Sequence, residues 1–172
     1  QQAVQNDRAN NPPAVGEGVP TDTKPRPKWL MVDTFAGASA FARALEQKGV
    51  GLLGVCENDA TCTKLLKWAH KGVLHCGDFY GNEWQQWPKE NVRIITGGPS
   101  CTCYSPAGKM LGGKDARSTQ GEDMADMTTH FQPDIVIIEN VTQLLDHQDV
   151  MDRAVERFWA AGYQIRMRPV VH

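Results

Sequence analysis

Three observations predict a doubly wound, mostly parallel α/β sheet. From residue 29 onward, short β-branched runs alternate with segments of helical periodicity. Two of those runs, residues 92–96 (VRIIT) and 133–141 (PDIVIIENV), read as buried strands because they are built mostly on β-branched residues. Small and acidic residues gather where the runs stop, and the carboxyl ends of strands are where open α/β sheets hold ligands.

Each element has its own signal. Residues 29–35 make the first strand, and residues 38–48 a helix with Phe41 and Leu45 on one face, closed by Gly49. Residues 51–56 make the second strand. A helix capped by Asn58 or Asp59 then runs to about His70, with Cys62, Leu65, Leu66 and Ala69 inward. Residues 73–76 form a short third strand and residues 92–96 the fourth. After Arg117 a helix buries Met124, Met127 and Phe131, spaced three and four apart, before the fifth strand at 135–138. The last helix pairs Val150/Met151, Ala154/Val155 and Phe158/Trp159 at steps of four and stops at Gly162. Residues 163–170 alternate Tyr, Ile and Met with Gln and Arg, the pattern of a half-exposed edge strand with Arg166 and Arg168 facing solvent. Such an open edge invites aggregation.

Composition bounds the rest. At 172 residues the chain is one domain by length. Residues 1–28 read as a disordered tail, poor in apolar side chains, and residues 29–172 as the folded part. No apolar run approaches the ~20 residues of a membrane span, and no secretory signal precedes the fold. Five irregularly spaced cysteines predict no disulfide framework and a reducing, intracellular setting.

Candidate chemistry sits at the strand ends. Gly97, Gly98 and Pro99 end the fourth strand sharply and leave Cys101 just beyond it, in GGPSCTCYSPAG. The fifth strand runs into Glu139 and Asn140, so a nucleophile and a carboxylate stand at the ends of two strands. The first strand leads into DTFAGASA, whose small residues let backbone approach a ligand. Only Gly37 is present there, which argues against a G-x-G-x-x-G dinucleotide site. Glu57 ends the second strand, where an acid can accept from both hydroxyls of a ribose. Asp78 and Phe79 follow the third. Cys101-x-Cys103, with Cys56, Cys62, Cys76 and His75, lacks the second matched pair of a zinc site, so no metal is expected. His70, His130 and His147 read as surface residues.

These segments resemble the cytosine-5 DNA methyltransferases. GGPSCTCYSPAG is similar to that family's nucleophile motif GGPPCQxFSxAG, the ENV of Glu139, Asn140 and Val141 to its second catalytic motif, and Asp115-Ala116-Arg117 to its D-x-R. Asp33 to Ala40 resembles the D-x-F-x-G-x-G-G loop, with Ser39 and Ala40 in place of the last two glycines. Ser100 stands where the pattern has proline, Thr102 where it has glutamine, and Tyr104 at an aromatic position. The likeness runs from Trp29 to the chain end.

The resemblance implies a Rossmann-like methyltransferase sheet cut short at its carboxyl end, with S-adenosylmethionine as cofactor. Asp33, Phe35, Gly37 and Ser39 would form the cofactor loop, Glu57 would hold the ribose, Asp78 the adenine amino group, and Phe79 and Pro99 would flank the ligand. Cys101 would be the nucleophile that attacks carbon 6 of a cytosine flipped out of the duplex. Glu139 would bond ring nitrogen 3, Asn140 would hold the loop, and Arg117 would steady the base carbonyl or nearby backbone.

DNA is the partner the resemblance implies, with tRNA, or a non-catalytic cofactor-binding fragment of a split or degenerate enzyme, as alternatives. The net charge of −2 is low for a phosphate-binding surface, and the 18 cationic residues are scattered. The main DNA-gripping part is therefore expected in a carboxyl-terminal half outside this sequence. The chain alone is expected to be marginally stable and to show no useful turnover. Its setting would be the nucleus in a eukaryote or the cytoplasm in a bacterium.

Overall fold

The computed structural model describes residues 27–104 and 114–169, and the expectation of a disordered tail falls almost wholly outside them. Five strands alternate with helices: β1 (Leu30–Thr34), α1 (Ala40–Glu46), β2 (Gly51–Cys56), α2 (Ala60–Ala69), β3 (Leu74–Cys76), β4 (Val92–Gly97), α3 (Gln120–Phe131), β5 (Ile135–Ile138) and α4 (Gln148–Ala160). The sheet order is β3-β2-β1-β4-β5, and every neighbouring pair is parallel. The order reverses between β1 and β4, so the two loops leaving those strands diverge and open a crevice at their carboxyl ends.

The pleat of β1 divides the core into two layers. Met31 faces one side, where it packs with Ala42 and Ile94 beneath Phe41 and Leu45 of α1. Val32 faces the other, where Met124, Met127 and Phe131 of α3 meet Phe158 of α4, Phe79 and Trp84. Full burial of side chains this size stabilises the fold by about 1.5–3 kcal/mol each. Trp84 and Trp87 lie on or beside short 3-10 turns between β3 and β4, and Trp87 occupies the space that a side chain on Gly54 would need. Asp59 caps α2 by accepting from the N–H groups of Thr61 and Cys62 at 2.9 and 2.8 Å.

Several expectations are corrected. Residues 163–169 form no strand. After Gly162, the N–H of Tyr163 turns back to the carbonyl of Phe158, and the chain continues without a ladder, with Ile165 and Met167 both exposed. Alternation alone cannot make a strand where no neighbour accepts the hydrogen bonds. The sheet ends instead at β5, which is not buried: Ile135, Ile137 and Ile138 are 36–43% exposed. Its apolar sequence reads as a central strand, yet among the described residues nothing covers that edge. On α2 only Leu66 is fully buried, with Leu65 turned out, and Trp159 of α4 is likewise exposed. The three histidines are half-buried: His70 lies 3.6 Å from Glu46, His130 packs edge-on to Trp84, and His147 packs on Tyr104. Their partners come from other elements, which periodicity along one helix does not reveal.

Candidate active site

The loop leaving β1 is tightly wound. Phe35, Gly37 and Ser39 all have positive φ (49°, 52° and 56°), a region that costs a non-glycine residue roughly 1–2 kcal/mol. Ser39 offsets this strain with a hydrogen bond: its hydroxyl donates to Asp33 Oδ2 at 2.7 Å. The other oxygen of Asp33 accepts from Thr96 Oγ1 at 2.6 Å. Burial raises the pKa of Asp33 above the ordinary carboxylate value, against the lowering effect of these bonds. Asp33 and Ser39 thus tie the loop to the sheet from inside.

Outside that loop lies a crevice of about 250 Å³. Phe35, Gly37, Glu57, Asp78 and Phe79 line it, together with Tyr80, Ser100 and Gln120. Glu57 is fixed from both sides, its carboxylate accepting from Gly37 N–H and Asp59 N–H at 2.7 Å each. Asp78 caps the following 3-10 turn by accepting from Tyr80 N–H at 3.1 Å. The rings of Phe35 and Phe79 pack with centroids 5.1 Å apart, and Phe79 stacks in turn on buried Trp84. The result is an aromatic wall between two anchored carboxylates. Of the eight residues expected at a cofactor, Phe35, Gly37, Glu57, Asp78 and Phe79 share this crevice. Asp33, Ser39 and Pro99 do not line it: the first two are turned into the sheet, and Pro99 sits at the neighbouring turn with its ring toward Gly121.

Cys101 stands on the turn after β4. A side chain on Gly98 would come within 3.9 Å of Glu139 Oε2, so the Glu139 carboxylate overhangs the turn. Asn140 Nδ2 donates to the Pro99 carbonyl at 3.3 Å, and its Oδ1 accepts from Val141 N–H at 2.8 Å. Cys101 is partly exposed, whereas Cys103 is fully buried with Tyr104 and Val150, and burial raises its pKa. Arg117 makes a two-pronged pair with Asp115 at 2.9 and 2.7 Å, its side chain 44% exposed. Cys56 and Cys76 sit opposite one another in register on β2 and β3, and Cys56 lines the crevice from the β2 side. Sequence reasoning missed Tyr80 and Gln120 as crevice residues, since no local motif marks them, and it singled out Ser100 only as a departure from the family pattern. A larger hollow, about 870 Å³, opens between the ends of α3 and α4, at the other end of the sheet from the strand-end acids.

A parallel sheet in this order, with a carboxylate just past β2 and a crevice at its switch point, places the chain among the doubly wound α/β proteins, the class that holds ligands at that point. Solved structures share the fold: a protein described as a DNA modification methyltransferase, encoded within an Escherichia coli prophage, superposes with a TM-score of 0.62 at 15% identity, over 77% of this chain and 38% of that one. A DNMT2 variant from Spodoptera frugiperda gives 0.55 at 15% identity, over 77% and 41%. The chain belongs to the C-5 cytosine-specific DNA methylase family, whose model matches residues 30–170. Among curated relatives, the type II methyltransferase M.Sau96I of Staphylococcus aureus is 29% identical over 142 residues, covering 78% of this chain and 33% of that protein. M.HpaII of Haemophilus parainfluenzae is 32% identical over 122 residues, covering 71% and 34%. The chain thus spans about a third of the length of these relatives.

Proposed function

We propose that this chain is the cofactor-binding and nucleophile-bearing part of a DNA cytosine-5 methyltransferase. One observation carries the reading: the strand end bearing Glu139 and Asn140 is bonded onto the Gly98-Pro99 turn that carries Cys101, beside a crevice lined by two anchored carboxylates. A lone cysteine after a strand would have no such carboxylate over it.

The crevice suits S-adenosylmethionine by its donor set. Glu57 and Asp78 are acceptors at successive strand ends, matched to ribose hydroxyls and an adenine amino group. Phe79 and Phe35 offer an apolar face to a ring. When bound, this cofactor supplies an electrophilic methyl group.

The remaining chemistry belongs to the chain's own residues. Carbon 5 of cytosine is a weak nucleophile, and addition of a thiolate at carbon 6 makes it enamine-like. Cys101 forms that sulfur–carbon bond while Glu139 delivers a proton or hydrogen bond to ring nitrogen 3, where charge develops. After carbon 5 is alkylated, loss of its proton expels the thiolate and restores the ring. Asn140 holds the turn through Pro99, and Arg117, fixed on Asp115, steadies the base carbonyl or adjoining backbone. The base reaches Cys101 only when flipped from the duplex.

Tritium-labelled cofactor, with protein in excess over acceptor so that one transfer is scored, tests the reading on duplex DNA and on tRNA. The reading expects label in DNA cytosine, abolished by Cys101→Ser. Label in tRNA alone would move the assignment to the tRNA branch, and label that survives Cys101→Ser would remove the covalent mechanism.

A further inference from the structure

The turn that carries Cys101 is held from a third direction, by a residue outside every motif described above. The N–H of Ser100 donates to the side-chain oxygen of Gln120 at 2.8 Å, across 20 residues of sequence. Ser100 also shares a hydroxyl–hydroxyl bond of 2.8 Å with Thr102, and its Oγ lies 3.4 Å from Thr102 N. Its carbonyl lies 3.5 Å from the buried thiol of Cys103. Ser100 and Thr102 are the two positions at which this turn departs from the GGPPCQ pattern. A proline at position 100 has a locked φ and no N–H; serine frees both, and a half-buried N–H left unmatched is costly. Gln120 is the first residue of α3, and it faces the crevice as well as the turn.

We infer that Gln120 is a positioning residue for Cys101: by accepting the Ser100 N–H it supplies the rigidity that proline supplies in the family pattern. This rests on Cys101 being the nucleophile, but the hydrogen bond can be tested apart from that reading. Gln120 meets the turn through the Ser100 amide. It acts through the backbone of the residue before Cys101, fixing where the sulfur points.

The test compares Gln120→Leu, Gln120→Glu, Ser100→Pro and the double variant Ser100→Pro/Gln120→Leu. Amide exchange at Ser100 is read by NMR, and the alkylation rate of Cys101 by iodoacetamide is read by peptide mass. In Gln120→Leu the Ser100 amide should lose roughly tenfold in protection, the equivalent of one hydrogen bond, and the Cys101 alkylation rate should change with it. Gln120→Glu keeps the acceptor and should restore both. In the Ser100→Pro background, Gln120→Leu should leave Cys101 alkylation within about twofold of Ser100→Pro alone, because there is no N–H left to match. Unchanged Ser100 exchange in Gln120→Leu would overturn the proposal. So would equal effects of Gln120→Leu with serine and with proline at position 100, which would mark a general packing role. Single-transfer methylation by the same variants, completed with a carboxyl-terminal half, separates the two readings: if the completed parent transfers no methyl group while the exchange pattern holds, the function fails and the positioning bond stands.

Discussion

Asp33 and Thr96 are register partners on β1 and β4, and the Thr96 hydroxyl donates to the Asp33 carboxylate at 2.6 Å across the switch point of the sheet. With Ser39 on its other oxygen, Asp33 joins the loop after β1 to the strand that ends at the Cys101 turn. Asp33 is thus an internal brace between the loop and the sheet.

That position predicts a stability effect. Asp33→Ala leaves two buried hydroxyls without their acceptor and should cost about 1–3 kcal/mol in urea unfolding. The pH dependence has a defined sign. Burial raises the folded pKa of Asp33, so its contribution is full below the ordinary carboxylate range and is lost as pH rises through the folded value. Asp33→Asn should therefore gain on the parent as pH rises from about 4 toward neutrality. A difference between the two that stays flat with pH would mean the carboxylate is not destabilised by burial.

Gly97 makes a second structural prediction. A side chain there would stand 2.5 Å from Thr34 Oγ1 and 2.6 Å from Met124 Cε, at the last residue of β4. Gly97→Ala should cost about 1–3 kcal/mol by overpacking, visible as a lower Tm. An unchanged melting curve would show that Met124 yields freely.

In the crevice, Glu57→Ala and Asp78→Ala should each weaken S-adenosylmethionine binding by about 1–3 kcal/mol, measured by calorimetry. Glu57→Ala should do more harm, because Glu57 also fixes the N–H groups of Gly37 and Asp59. Unchanged affinity in both variants would locate the ligand elsewhere.

How far the sequence could be read depended on whether a residue's role was local. Gly51–Cys56 and Ile135–Ile138 match their expected bounds, and Met124, Met127 and Phe131 are buried as their spacing demands. That Glu57, Asp78 and Phe79 share one crevice follows from strand ends in this fold class converging on one place. The internal bonds of Asp33 and the half-burial of the histidines escape a reading of the sequence, because each depends on a neighbour brought in by the sheet or by another helix. Gln120 was invisible for the same reason, its partner lying 20 residues back. The absence of a strand at 163–169 reflects a missing neighbour, which a pattern in one segment does not encode.

The two cysteines of the turn should separate cleanly. Cys103 is fully buried beneath Tyr104 and Val150 while Cys101 is partly exposed. In an enzyme completed with a carboxyl-terminal half, Cys101→Ser should abolish methyl transfer and leave cofactor affinity nearly intact, whereas Cys103→Ser should keep most transfer. Equal loss in both variants would point to damage of the turn and leave the nucleophile unassigned.

The most direct measurement of the central claim is mechanism-based trapping. DNA carrying 5-fluorocytosine is incubated with the protein, with and without S-adenosylmethionine, and the covalent adduct is mapped by peptide mass. The account predicts a cofactor-dependent adduct on Cys101 that disappears in Cys101→Ser and is weakened in Glu57→Ala. An adduct on Cys103, or cofactor binding in the crevice with no adduct on Cys101, would contradict it.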